Sequence, residues 1–208
     1  MICTHFDHTQ NRYVKGVNLL TALSYSQDVS LPVDFELIRK TELVTDPKTG
    51  KQSWQSAETK NAMLRRMVDS FIRKQVPFRH VLADIWFASV ENMIFIKQKK
   101  QKDFVMPLKA NRRVALSEAD KQNNRFVPVA SLPETSACQH IYLDKVPFPL
   151  LLITITSVKT DHEGKTRTLY LVTSNERPPL GRFGTTCPLQ KAMVSHLEQV
   201  GREDRGVP

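Results

Sequence analysis

Apolar positions along this chain follow two different periods, and the switches between them mark its elements. Over 31–40, LPVDFELIRK, Leu31, Val33, Phe35 and Leu37 alternate with Pro32, Asp34 and Glu36. Side chains of a strand point to opposite faces in turn, so this segment reads as a strand with one apolar face. Residues 13–25, YVKGVNLLTALSY, read as the strand before it, and the SQDVS linker between them suits a hairpin. Asp46-Pro47 and Thr49-Gly50 supply turn chemistry, so 45–57 reads as a polar loop. The period then lengthens. Over 58–76, Met63, Leu64, Met67, Val68, Phe71 and Ile72 gather on one stripe of a helix, which Pro77 ends.

A short apolar run at 80–87, HVLADIWF, reads as a buried strand. Ser89 suits the N-cap of a helix over 89–100, with Asn92 in its first turn. Residues 103–110, DFVMPLKA, read as the next strand. The order helix–strand–helix–strand points to parallel strands joined by crossovers. After residue 112 the character changes. Segments 125–132, 140–159 and 166–173 are rich in Val, Ile, Thr, Tyr and Phe, with turns at DKVPFP and DHEGKT. This reads as an antiparallel β insertion or subdomain. In the tail, NERPPLGRFGTTCP is loop-like, 188–200 reads as a short helix, and GREDRGVP has nothing to bury.

Composition narrows the class. With 208 residues, 40% hydrophobic and 25% charged, the chain can bury a core unaided and is not a disordered tail. Its longest apolar stretch, Val146–Ile155, carries two prolines and falls far short of the roughly 20 residues of a spanning helix, so no membrane partner is expected. The first ten residues, MICTHFDHTQ, show no basic segment followed by an apolar one, as a secretory signal would. Cys3, Cys138 and Cys187 have no CxxC spacing. That argues against a disulfide framework and a thiolate zinc site, and makes the cytoplasm the expected setting. Lys and Arg total 30 against 21 acids, a formal net charge of +9. Such a surface attracts nucleic acid, an anionic membrane or an acidic partner, and charge alone does not choose among them.

Three groups of residues invite a chemical reading. Asp84 stands among apolar neighbours at the end of the 80–87 strand. A buried carboxylate is costly unless paired, protonated or bound to metal, and ligands of open α/β sheets gather at the carboxyl ends of strands. The plainer reading is an Asp that caps the next helix. His5, Asp7 and His8 form HFDH, where imidazole and carboxylate suit a metal, but a hydrogen-bonded strand end is the favoured reading. Lys97, Lys99, Lys100, Lys102, Lys109, Arg112 and Arg113 bracket DFVMPLKA with only Asp103 against them. These suit phosphate contacts, and equally a solvated helix face. No P-loop, GxGxxG, HExxH or GxSxG occurs, so the chemistries of those motifs have no support.

Read in order, HFDHTQNRYVKGVNLLTALSYS (5–26), LPVDFELIRKTE (31–42), FRHVLADIWFASVENMIFI (78–96), KDFVMPLKANRRVALS (102–117) and LYLVTSN (169–175) resemble the catalytic region of bacterial insertion-sequence transposases of the DDE type. VLADxWFAS followed by FVxxLKxNR is the most diagnostic pair. The resemblance implies an α/β fold, an RNase H-like mixed sheet with an inserted antiparallel β subdomain. It divides the chain into a core at 1–112, a β-rich insertion at 113–175 and an aberrant tail at 176–208. It also implies DNA transposition, in which three acids hold two magnesium ions that cleave and join DNA strands. Asp84 then matches the second acid, a catalytic and metal-binding residue, and the Lys97–Arg113 basic residues become DNA contacts.

Transposon ends and target DNA are the implied partners, with a homodimer in a full-length relative and a nucleoid-associated location. The family's first Asp lies on a strand before the HxDH segment, and Asp7 matches HxDH instead. Its last Glu lies in a Tyr-x-x-Arg-Trp-x-x-Glu helix, which the tail lacks, Glu198 having neither the Arg nor the Trp. The resemblance therefore makes this chain a fragment with one acid of three, short of the central strand and open at the sheet edges that strand would pair. The Met193-Val194 codons always contain TGG, so a one-base shift there restores a Trp, and a frameshifted tail is expected. The alternative function is a basic DNA-binding protein without catalysis.

Overall fold

The computed structural model describes residues 2–7, 11–26, 29–133, 138–157 and 167–176. The expected helix at 188–200, the DHEGKT turn and the rest of the tail lie outside the described residues, as does His8. The chain divides into two units, Met1–Phe78 and Arg79–Pro208.

The first unit is built of hairpins and one helix. Strand β1 (Cys3–Asp7) pairs with β2 (Arg12–Gly16), and β3 (Asn18–Ser26) pairs with β4 (Val29–Ile38), both antiparallel. The single strand expected over 13–25 is therefore two, because the chain changes partner at Val17. The expected loop at 45–57 is also corrected: β5 (Glu42–Thr45) and β6 (Gln52–Gln55) form a third hairpin. The turn residues make it. Asp46 Oδ1 accepts hydrogen bonds from the amides of Lys48 at 2.8 Å and Thr49 at 3.3 Å. Gly50, at φ +67°, takes the left-handed conformation that closes the turn. Leu43, Val44 and Trp54 all stay exposed, so no buried alternation announced these strands.

Helix α1 (Lys60–Arg73) starts at Thr59, whose side chain accepts from the Ala62 amide at 3.2 Å. Its predicted stripe of Met63, Leu64, Met67, Val68 and Phe71 is buried, while Ile72 lies outside it. Phe71 meets Phe78 edge to face at 5.8 Å. The polar row of β4 faces this helix: Arg66 reaches Glu36 at 2.6 Å, and Lys74 reaches Asp34 at 3.5 Å. Of the apolar row, Leu31 and Phe35 are left exposed, Phe35 at 61%, while Val33 and Leu37 are half-buried.

The second unit is a mixed five-stranded sheet flanked by short helices. Its first strand is β7 (His80–Leu82). A 3₁₀ turn (Ile85–Phe87) leads to α2 (Val90–Ile94), which widens over Phe95–Lys99 before β8 (Asp103–Leu108). Ser89 caps α2 by accepting from the Asn92 amide at 3.2 Å, as expected. Then follow β9 (Arg113–Val114), α3 (Glu118–Gln122), β10 (Val127–Pro128), β11 (Gln139–Ile141), β12 (Leu150–Ser157) and β13 (Arg167–Thr173). The sheet order is β11-β12-β13-β8-β7. Strands β7 and β8 are parallel across the α2 crossover, and the other neighbours are antiparallel. This is the α/β mixed sheet that the sequence predicts. Strand β8 has a neighbour on each side, and Phe104, Val105, Met106 and Leu108 are all buried there beside Met93, Ile96 and Leu171.

One element differs from its expectation in a way that matters for the site. Strand β7 covers only His80–Leu82 and, among the described residues, forms the edge of its sheet. It is half-buried rather than buried, with Leu82 40% exposed. The expected strand over 80–87 stops because Asp84 takes over the next turn: its carboxylate accepts from the Ile85 amide, and its carbonyl from the Phe87 amide at 2.9 Å.

Candidate functional site

Strand β8 has two chemically different ends. At its N-terminal end, Asp103 Oδ1 accepts from Lys97 Nζ at 2.8 Å and from Ser174 Oγ at 2.9 Å. Ser174 Oγ in turn accepts from the Phe104 amide at 3.3 Å. His80 faces Asp103 across the β7–β8 pair. Its Nε2 lies 3.2 Å from Asn175 Nδ2, which donates to it when the ring proton sits on Nδ1, the tautomer this contact assigns.

Burial lowers the pKa of His80, against an upward pull from Asp103, while Arg79 adds a further push downward. Burial also acts to raise Asp103, but the hydrogen bonds from Lys97 and Ser174 outweigh it and hold the carboxylate below its ordinary value. These groups tie β7, β8 and β13 together. Their polar atoms serve one another, which is a structural arrangement.

The C-terminal end is open. The Ala83 amide donates to the Val105 carbonyl at 3.3 Å, and the chain then leaves the sheet. Asp84 follows directly, with its side chain exposed at the mouth of the parallel pair. It does cap the following turn, as the plainer sequence reading had it. Capping engages one oxygen, Oδ1, with the Ile85 amide. Two residues on, Trp86 is 69% exposed, and Lys109 Nζ lies 5.6 Å from its ring centroid. Lys109 begins the turn after β8, which the Arg112 amide closes on the Lys109 carbonyl at 2.8 Å. Arg113 is exposed, with one guanidinium nitrogen donating to the Phe126 carbonyl at 3.1 Å.

The basic residues that bracket β8 are thus separated by its length, roughly 16 Å at about 3.3 Å per residue. Lys109, Arg112 and Arg113 share the Asp84 end. Lys97, Lys99, Lys100 and Lys102 belong to the other end, where Lys97 is committed to Asp103 and Lys100 lies 5.0 Å from the Phe95 ring centroid. Trp86 is the residue that sequence reasoning passed over. Its position two residues after Asp84 was visible, but a buried strand over 80–87 would have hidden its ring.

A magnesium pair needs several carboxylates from separate elements, because the ion dehydrates reluctantly and holds near-octahedral geometry. Among the described residues, no three His, Cys, Asp or Glu side chains gather as metal ligands. Asp84 offers a single carboxylate with one oxygen already engaged. The described residues therefore do not fit a metal pair. No helix among them is long and apolar enough to cross a membrane.

A family model described as DDE superfamily endonuclease matches residues 2–125, more than half of the chain. No curated protein and no solved structure matches.

Proposed function

The chain belongs to the DDE superfamily endonucleases, and from that premise we propose that it meets DNA at the Asp84 end of the β7–β8 pair. Nucleases of this superfamily act on DNA and generally use divalent metals. The finer reading is the strand cleavage and transfer of transposition, with Asp84 as one metal-binding acid. Lys109, Arg112 and Arg113 hold the phosphates beside it, and Lys99, Lys100 and Lys102 meet DNA further along the duplex.

The observation that carries this reading is the placement of Asp84. It stands exposed just past the carboxyl end of a parallel strand, on the same end of the sheet as three cations. Ligands of open α/β sheets bind in this position. Lys109 and its neighbours supply charge for phosphate, and Asp84 supplies a hard oxygen ligand for a cation.

The donor set among the described residues favours a second statement: this chain binds DNA without cutting it. One carboxylate does not fix two magnesium ions. The experiment is a nicking assay on supercoiled plasmid in magnesium or manganese, run beside a binding titration. Salt-dependent binding with no nicking is the expected result. Nicking that disappears in Asp84→Ala would reveal a working metal site and overturn the non-cutting statement. Absence of DNA binding would overturn the reading as a whole.

A further inference from the structure

We propose that Trp86 is a stacking platform for an unpaired DNA base at the Asp84 end of the sheet. The inference rests on the reading that this end meets DNA.

The turn that carries the ring is closed by hydrogen bonds, while the ring itself faces water. Its turn is closed by the Asp84 carboxylate on the Ile85 amide and by the Phe87 amide on the Asp84 carbonyl. The Ala88 amide donates to the Ile85 carbonyl at 3.3 Å, and Asn92 Nδ2 donates to the Phe87 carbonyl at 3.0 Å. Ile85 and Phe87, on either side of Trp86, are half-buried and anchor the turn. Trp86 itself keeps 69% of its surface in solvent. With its backbone held and its ring outward, Trp86 offers a large flat apolar face to a ligand without the turn having to rearrange.

Its surroundings select the ligand. Charged groups flank the ring, Asp84 in sequence and Lys109 in space, with the ammonium 5.6 Å from the ring centroid. An aromatic face beside a cation is how proteins grip single-stranded nucleic acid: the base stacks and the cation takes the adjoining phosphate. Bases within a duplex are already stacked on one another, so the platform serves a base at a strand end or one turned out of the helix. Seated on Trp86, that nucleotide brings its backbone toward Lys109 and the Asp84 carboxylate. Trp86 is a positioning residue in this arrangement.

The test uses the full chain with Trp54→Phe, which leaves Trp86 as the sole tryptophan. The probes are single-stranded oligothymidylate, the same strand with abasic sites, and a duplex of equal phosphate count. Oligothymidylate is expected to quench Trp86 fluorescence, and the abasic strand to quench it less. Trp86→Ala should weaken binding of the single strand roughly 5- to 150-fold, the span of alanine substitutions at base-stacking aromatics. Trp86→Phe should retain most of the affinity, and the duplex should bind all three proteins within about twofold, since its salt-dependent term is untouched. Equal loss on single strand and duplex, or no loss on either, overturns the inference while leaving the DNA reading in place. Failure of the unaltered protein to bind either probe overturns the DNA reading, and the inference falls with it.

Discussion

Lys97 Nζ lies 2.8 Å from Asp103 Oδ1, so a lysine at the heart of the basic run is committed to a carboxylate of the same sheet. The pair is only partly screened, with the Lys97 side chain 37% and the Asp103 side chain 21% exposed. Lys97→Ala leaves Asp103 with one charge partner fewer. It should cost about 1 kcal/mol of stability, the upper end for a pair this open to solvent. It should leave the salt dependence of DNA affinity unchanged. Lys109→Ala should do the reverse, with little effect on stability and a salt slope reduced by about one. Chemical denaturation and binding titrations at several salt concentrations, run on both variants, check this pair of outcomes.

Acid should weaken the second unit in two stages. A group whose folded pKa is lowered adds stability that is complete above its unfolded value and lost as pH falls through the folded one. For His80, lowered chiefly by burial from 6.5, the loss begins near pH 6.5. Protonation there also sets a ring N–H against the Asn175 amide. For Asp103, held below its ordinary 3.8 by Lys97 and Ser174, the loss begins only below about that pH. Thermal unfolding of the unaltered chain and of His80→Gln, followed from pH 8 to 3, should differ most between neutrality and pH 5. A melting temperature that rises as pH falls through this window, relative to His80→Gln, would contradict the assignment.

Phe104 is fully buried in β8, between β7 and β13. Phe104→Ala should cost about 3–5 kcal/mol through lost burial and the cavity left behind. By contrast, Gly50→Ala should act locally. A Cβ there meets nothing, but φ at +67° strains any side chain, so about 1 kcal/mol is expected. Denaturant unfolding of both variants should rank Phe104→Ala well above Gly50→Ala.

The sequence was most informative where period and cap agree. The stripe from Met63 to Phe71 and the Ser89 cap sit where the pattern placed them. The crossover between β7 and β8 was legible from the alternation of apolar run and helix. Elements held by turn chemistry alone were harder to see. The Asp46–Gly50 turn carries a hairpin whose apolar residues are exposed, so no buried period marks it. Helix α3 went unread because it is short and rests on its Ser117 cap, which accepts from the Asp120 amide at 3.0 Å.

At the site, Asp84 was legible as an acid at a strand end, but its neighbour was not. Whether Trp86 pointed inward or outward depended on where β7 stopped, and that is decided by the Asp84 carboxylate bonding the next amide. The basic run read as one surface in a linear sequence. The length of β8 divides it, and Asp103 takes one of its members.

Amide hydrogen exchange of the chain with and without a DNA duplex at low salt tests the central claim most directly, that DNA is met at the Asp84 end. Slowed exchange is expected over 84–89 and 109–114, the two turns that leave the carboxyl ends of β7 and β8. The Lys97–Asp103 region should show a smaller change, because it lies at the far end of β8. Protection confined to 97–103, with 84–89 and 109–114 exchanging as in the free chain, would contradict the account.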